Sequence, residues 1–120
     1  MAANSIVESS RYPYLQVRYA VGNHHETVWA YVDTGFDGYL GVPRSQAHRL
    51  GPPDREARYR LADSSPVTLP VYLGTIEFVG LMRSLPARIM SVGDEYILGR
   101  AVIDRLRLTF DRGARLVAEA

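Results

Sequence analysis

The sequence predicts a mostly β, barrel-like single domain with one or two short helices. Three observations carry this. Short runs that alternate apolar and polar residues, rich in Val, Ile, Leu and Tyr, recur along the chain. Turn sets such as Gly22-Asn23, Asp63-Ser64-Ser65-Pro66 and Asp111-Arg112-Gly113 punctuate them. Only residues 45–51 and 100–107 space their apolar side chains for a helix, and neither stretch is long.

Taken in order, residues 1–11 are polar and small and read as a flexible tail, which puts the folded domain at 12–120. "YLQVRYAV" sets Leu15, Val17, Tyr19 and Val21 against Gln16, Arg18 and Ala20, the period of a half-buried strand. "GNHHE" reads as a turn in which Gly22-Asn23 can take positive φ, and "TVWAYV" as the return strand ending at Asp33. "GYLGVP" is a short apolar run closed by Pro43. "SQAHRLG" spans one or two helical turns, with Ser45 a candidate N-cap and Gly51 a candidate stop before Pro52-Pro53. "ARYRLA" and "VTLPVYLGTIEFVG", joined by the turn Asp63-Ser64-Ser65-Pro66, make a hairpin from about residue 58 to 73. "SLPARIMSV", "YILG", "LTF" and "RLVAEA" supply the remaining strands, and "RAVIDRLR" places Val102, Ile103 and Leu106 on one helical face.

Composition narrows the chemistry. A chain of 120 residues, 47% hydrophobic and 22% charged, is long enough for one core. The formal net charge is +1 with scattered arginines, so neither nucleic acid nor an anionic membrane is expected as a partner. With no cysteine, disulfides, thiolate nucleophiles and cysteine-bound zinc are excluded. No run approaches the ~18 apolar residues of a membrane helix. The first residues lack the basic and apolar regions of a secretory signal, so the cytoplasm is the expected location.

The chemistry centres on "AYVDTGFDGYL", residues 30–40, where an apolar strand delivers Asp33 onto a glycine-permitted turn. A carboxylate so placed is held at a strand end yet faces open space, and backbone N–H groups of the turn can hydrogen-bond it in its charged form. Asp and Gly are also what ordinary turns use, so Asp33-Thr34-Gly35 alone is a weak signal. "EYILGRAVIDRLRLTF" adds the second part. Ile97 and Leu98 precede Gly99 and a short amphipathic helix, a strand able to thread behind the Asp33 loop, with Gly99 permitting close backbone approach. Arg100 then stands where it could reach Asp37 in a charge-assisted pair.

Together, "YVDTGFDGYLGVP" and "YILGRAVIDRLRLTF" resemble the retropepsin-like (clan AA) aspartic proteases, of the small prokaryotic single-domain type, over nearly all of residues 14–110. The resemblance implies a closed barrel with a flap hairpin. It also implies a symmetric homodimer that cleaves peptide or protein substrates, because the chain has one Asp-Thr-Gly and the family needs two facing carboxylates. Asp33 of each subunit would then share a proton and activate a water, with no metal and no other cofactor. By position, Thr34 would bond across the dimer axis, and Gly35 would offer backbone groups to substrate. Asp37, Leu98, Gly99 and Arg100 would brace the loop, and Leu61, Ala62, Asp63, Ser64 and Ser65 would form the flap tip over a bound peptide. Two departures stand out: Phe36 where retroviral and pepsin-like members carry Ala, Ser or Thr, and a flap turn without their glycines. The C-terminal "RLVAEA" and the N-terminus are candidates for an interlocking dimer sheet.

Other readings compete. His24-His25 has the look of a metal pair, but adjacent histidines on a turn point apart and no third ligand lies near them in sequence. Ser64-Ser65 lacks the nucleophile-elbow frame. Asp33 and Asp37 match a glycosidase pair only in number. A peptide-binding or dimerisation module that keeps the fold without turnover is the principal rival to an endopeptidase.

Overall fold

The computed structural model describes residues 6–60, 63–81 and 83–120. Among them, ten strands alternate with one 3-10 helix, Arg44–Leu50, and one four-residue α-helix. Six of the strands close on themselves. β2 (Tyr14–Val21) pairs with β3 (His24–Val32), and β3 runs parallel to β8 (Ile97–Leu98). β8 pairs with β4 (Leu40–Val42), β4 with β7 (Arg83–Ser91) and β7 with β6 (Pro66–Phe78). β6 returns to β2 and completes the closed barrel. β5 (Arg55–Arg60) hangs on the outside of the first half of β6 as the partner of a hairpin.

The alternation seen in the sequence is the alternation that is buried. Leu15, Val17, Tyr19 and Val21 of β2 and Val28, Ala30 and Val32 of β3 face inward and pack with Leu40, Ile76, Phe78, Ile89 and Leu98. Each large aliphatic side chain so buried contributes about 1.5–3 kcal/mol. Closure needs β6 to pass close over β2: a Cβ at Gly74 would stand 2.1 Å from the Ala20 carbonyl oxygen. Only glycine fits that crossing.

Several boundaries differ from the sequence reading. The first hairpin turn is just Gly22 (φ 56°) and Asn23, so His24 and His25 already belong to β3, opposite Val21 and Ala20. Strand alternation sends the two rings different ways: His25 Nδ1 lies 2.8 Å from Arg18, and His24 Nε2 lies 3.2 Å from the buried Tyr19 hydroxyl. Ser45 sits inside the 3-10 helix rather than capping it. The helix follows Pro43, and the Arg44 N–H is met by the Gly93 carbonyl (3.1 Å), which leaves no need for a side-chain cap. Gly51 does end it, at φ 76°.

The segment read as a tail carries a strand as well. β1 (Ile6–Ser9) pairs with β10 (Arg115–Glu119), which pairs with β9 (Arg107–Asp111), making a three-stranded sheet beside the barrel. Arg115 links all three strands, with Nη1 3.0 Å from Glu8 and Nε 2.8 Å from Asp111. That guanidinium holds the Asp111 carboxyl below the usual aspartate range. Leu116 and Ala118 on β10 are buried in the main core, which explains why a polar N-terminus still finds an ordered partner. No helix among the described residues is long and apolar enough to cross a membrane.

Candidate active site

Asp33 follows the last residue of β3, where the barrel wall turns outward. Two neighbours of β3 fix that end. β8 lies between β3 and β4, so the strands on either side of the Asp33 loop are bridged by a segment from far down the chain. Leu98, fully buried, pairs with Val32 on one side and Leu40 on the other, and its carbonyl accepts the Asp33 N–H at 3.0 Å. The strand expected to thread behind the loop is therefore what is found.

The turn itself is built from Asp33 outward. The Gly35 N–H donates to Asp33 Oδ1 at 2.9 Å, and the Phe36 N–H donates to the Asp33 carbonyl at 3.2 Å. Asp33 is half-buried, while Thr34 and Gly35 are exposed. The carboxylate thus keeps a fixed orientation on one oxygen and open access on the other side. No residue beyond the turn contributes a hydrogen bond to its side chain among the described residues.

Gly99 is where the crossing is tightest. Its φ is −98°, which any residue can adopt, so conformational freedom is not the reason for glycine here. Space is: a Cβ would meet the Gly38 carbonyl oxygen at 2.1 Å and the Phe36 ring at 2.6 Å. The Gly99 N–H donates to the Tyr39 carbonyl (2.9 Å), the Arg100 N–H to the Phe36 carbonyl (2.7 Å) and the Ala101 N–H to the Gly38 carbonyl (3.1 Å). The start of α1 (Arg100–Ile103) is therefore sewn to residues 36–39 through backbone alone. α1 buries Val102 and Ile103 in the core and so anchors the seam.

One expected contact is absent. The Arg100 side chain does not pair with Asp37. Its Nε lies 3.8 Å from Asp104, and no ion pair reaches Asp37 among the described residues. Residues 100 and 104 stand one helical turn apart on the same face, which makes Asp104 the nearer carboxylate. Both side chains are more than half exposed, so the pair adds about 0–1 kcal/mol at most. Arg100 braces the loop through its backbone N–H, and Asp37 is exposed.

Of the residues read as a flap tip, Leu61 and Ala62 lie outside the described residues. Asp63 and Ser64, both exposed, and half-buried Ser65 lie in the turn that leads into β6. Asp63 Oδ1 accepts both the Ser65 hydroxyl and the Ser65 N–H, the latter at 2.9 Å, and these bonds hold the Asp63 carboxyl below its ordinary value. Ser64 takes φ 69°, a left-handed conformation that costs a non-glycine residue about 1 kcal/mol. The Arg60 guanidinium donates to its carbonyl at 3.2 Å.

Sequence reasoning missed the part played by Phe36 and Gly38. The Phe36 ring packs against a second apolar cluster, Leu69, Val71 and Met90, joined by half-buried Ala57, Tyr59, Val67 and Val92. A Cβ on Gly38 would stand 2.5 Å from that ring and 2.5 Å from Met90 Cε. The available signal was the coincidence of one large ring with two glycines, at 38 and 99, that are small for its sake.

A separate groove of about 480 Å³ is lined by Arg11, Glu26, Trp29, Gln46, Arg49 and Tyr96, among others, and by none of the residues of the Asp33 turn. It runs along β3 beside Glu26 and Trp29, and the carbonyl of Tyr96, another lining residue, accepts the Tyr31 N–H at 2.9 Å.

Two solved structures share this architecture. One is a retropepsin-like aspartic protease from Rickettsia conorii, with a TM-score of 0.55, 15% identity, and coverage of 100% of this chain and 98% of that one. The other is the protease of Simian Foamy Virus (mac), with a TM-score of 0.52, 16% identity, and coverage of 76% of this chain and 91% of that one. The fold is retropepsin-like. No family model matches the sequence, and no curated protein matches it. In the retropepsin-like barrel described here, Asp33-Thr34-Gly35 and Leu98-Gly99-Arg100 meet at one backbone crossing.

Proposed function

We propose that the chain is a homodimeric aspartic endopeptidase in which Asp33 of each subunit supplies one carboxylate of a catalytic pair. The observation that carries the reading is the Asp33 turn itself. Its half-buried carboxylate accepts the Gly35 N–H, and its backbone N–H donates to the Leu98 carbonyl, at the end of a barrel strand on a retropepsin-like fold. Two structural neighbours named as proteases support it.

A single Asp33 is half of the chemistry. Two carboxylates facing each other across a two-fold axis cannot both ionise readily, so they hold one proton between them. The ionised member takes a proton from a bound water, and the water oxygen attacks the scissile carbonyl carbon. The protonated member gives its proton to the carbonyl oxygen. The tetrahedral diol then collapses, the C–N bond breaks, and the amine leaves with a proton returned from the pair. Thr34, exposed beside Asp33, bonds its counterpart across the axis, and exposed Gly35 presents backbone groups to the peptide. The β5–β6 hairpin, with Asp63, Ser64 and Ser65 at its tip, closes over the substrate as an added-strand partner.

A second reading, a peptide-binding module without turnover, draws on the hairpin tip, which is held by its own aspartate and lacks a freely flexible glycine. One digest separates the two. Wild-type protein at high concentration is incubated with a peptide library, beside an Asp33→Asn sample that keeps the same circular dichroism. The endopeptidase reading expects cleavage by the first and none by the second. Equal cleavage by both, or none by either under dimeric conditions, overturns it.

A further inference from the structure

We infer that Phe36 is a positioning residue whose ring latches the Asp33 turn to the base of the β5–β6 hairpin, so that carboxylate and hairpin hold one relative position. The inference rests on Asp33 being the working carboxylate and on the hairpin covering substrate. It adds the element that couples the two.

Three observations converge on that ring. First, the described residues form two apolar clusters, and Phe36 packs against the smaller one. That cluster joins Phe36 to Ala57 and Tyr59 of β5, Val67, Leu69 and Val71 of β6, and Met90 of β7. The main core lies inside the barrel and includes none of these hairpin residues. Second, the ring is accommodated at the expense of other side chains. It occupies the space where Gly38 and Gly99 would carry Cβ atoms, at 2.5 and 2.6 Å. Third, its backbone is tied on both sides. The Phe36 N–H donates to the Asp33 carbonyl, and its own carbonyl accepts the Arg100 N–H at 2.7 Å. The ring therefore hangs from the peptide that ends the Asp33 turn, and that peptide is itself tied at both ends.

The surroundings argue against simple filling. Phe36, Ala57, Tyr59, Val67 and Val92 are all half-buried, so the cluster is a seam at the surface rather than a sealed interior. A seam joins two elements that could otherwise part. Among the described residues β5 pairs only with β6, so its ladder does not tie it to this loop. Coupling through such a contact is reciprocal: loosening either side loosens the other.

The test is amide hydrogen exchange on the full-length protein, paired with kinetics. Phe36→Ala is expected to speed exchange of the peptides covering 33–38 and 55–71 together, by about tenfold. Peptides from the terminal sheet, 6–9 and 115–119, should keep wild-type rates. Tyr59→Ala, a change on the hairpin alone, should speed exchange of the 33–38 turn. kcat of the folded Phe36→Ala protein should fall on the order of 10²-fold, as expected for a displaced reacting group. Phe36→Leu should recover most of that loss, and it carries the test if the alanine variant does not fold. Even acceleration across all peptides, or a Tyr59→Ala protein whose turn exchanges at the wild-type rate, overturns the inference. The exchange arm is independent of turnover. An inactive wild-type protein with the coupled exchange pattern would sink the protease reading and leave the latch standing.

Discussion

Two turns of this protein use the same local device. In one, Asp33 Oδ1 accepts the Gly35 N–H at 2.9 Å; in the other, Asp63 Oδ1 accepts the Ser65 N–H at 2.9 Å. Both are Asp-led turns in which a side chain catches the backbone two residues on. Their settings differ. The Asp33 turn is gripped from outside by the Leu98 carbonyl, the Arg100 N–H and the Gly38–Gly99 crossing. The Asp63 turn is exposed, includes a left-handed serine, and depends mainly on its own bonds. An aspartate turn is thus an ordinary local structure, and remote backbone holds one of the two in place.

The sharpest way to break the comparison is at Gly99. Gly99→Ala puts a methyl 2.1 Å from a carbonyl oxygen that cannot move without dragging the Asp33 loop. A loss of about 3 kcal/mol or more is expected in urea unfolding. Gly38→Ala meets only the ends of the Met90 and Phe36 side chains, which can shift, and should cost about 1 kcal/mol. Equal losses at the two positions would mean that general crowding, rather than the crossing, holds the loop.

The Asp63 turn should respond to pH. Its carboxyl is held below the ordinary aspartate range by the Ser65 hydroxyl first and the Ser65 N–H second. A depressed folded value means that the bonds contribute fully above the unfolded value and are lost as pH falls through the folded one. Hydrogen exchange at Ser65 should therefore quicken, relative to its intrinsic rate, as pH drops below that range. An Asp63→Ala protein should be quick at every pH. A wild-type Ser65 amide insensitive to acid would show that the carboxylate does not organise the tip.

The smallest effect is expected at Ser64. Glycine would relieve strain of about 1 kcal/mol but add unfolded-chain freedom worth roughly 0.4–1 kcal/mol. Ser64→Gly should therefore change the unfolding free energy little, within about 0.5 kcal/mol, while making the hairpin tip more mobile. A large stabilisation would mean that the tip stores more strain than its φ implies.

The barrel was legible because its strands alternate cleanly: Leu15, Val17, Tyr19 and Val21 are buried as their spacing requires. The crossing was legible in the apolar pair Ile97-Leu98 before a glycine, and Leu98 is indeed buried there. Three features were not. β1 offers only Ile6 and Val7 as apolar residues, and its order comes from β10, more than a hundred residues away; the two termini, expected as a sheet between subunits, pair within one chain. The Arg100–Asp104 contact won over Asp37 because helix geometry brings i and i+4 together, a competition that motif position ignores. Phe36 had no explanation from the sequence because its reason lies in two glycines and a hairpin distant along the chain.

The central claim is that catalysis needs one Asp33 from each of two chains. It is tested most directly by mixing. A fixed amount of wild-type protein is titrated with Asp33→Asn protein, the two are allowed to exchange partners, and peptide cleavage is measured at each ratio. Activity is predicted to fall steeply as wild-type subunits are drawn into mixed dimers with one carboxylate, approaching zero at large excess. Activity that stays constant across the titration, with subunit exchange confirmed, would show that each Asp33 works alone and would contradict the shared pair.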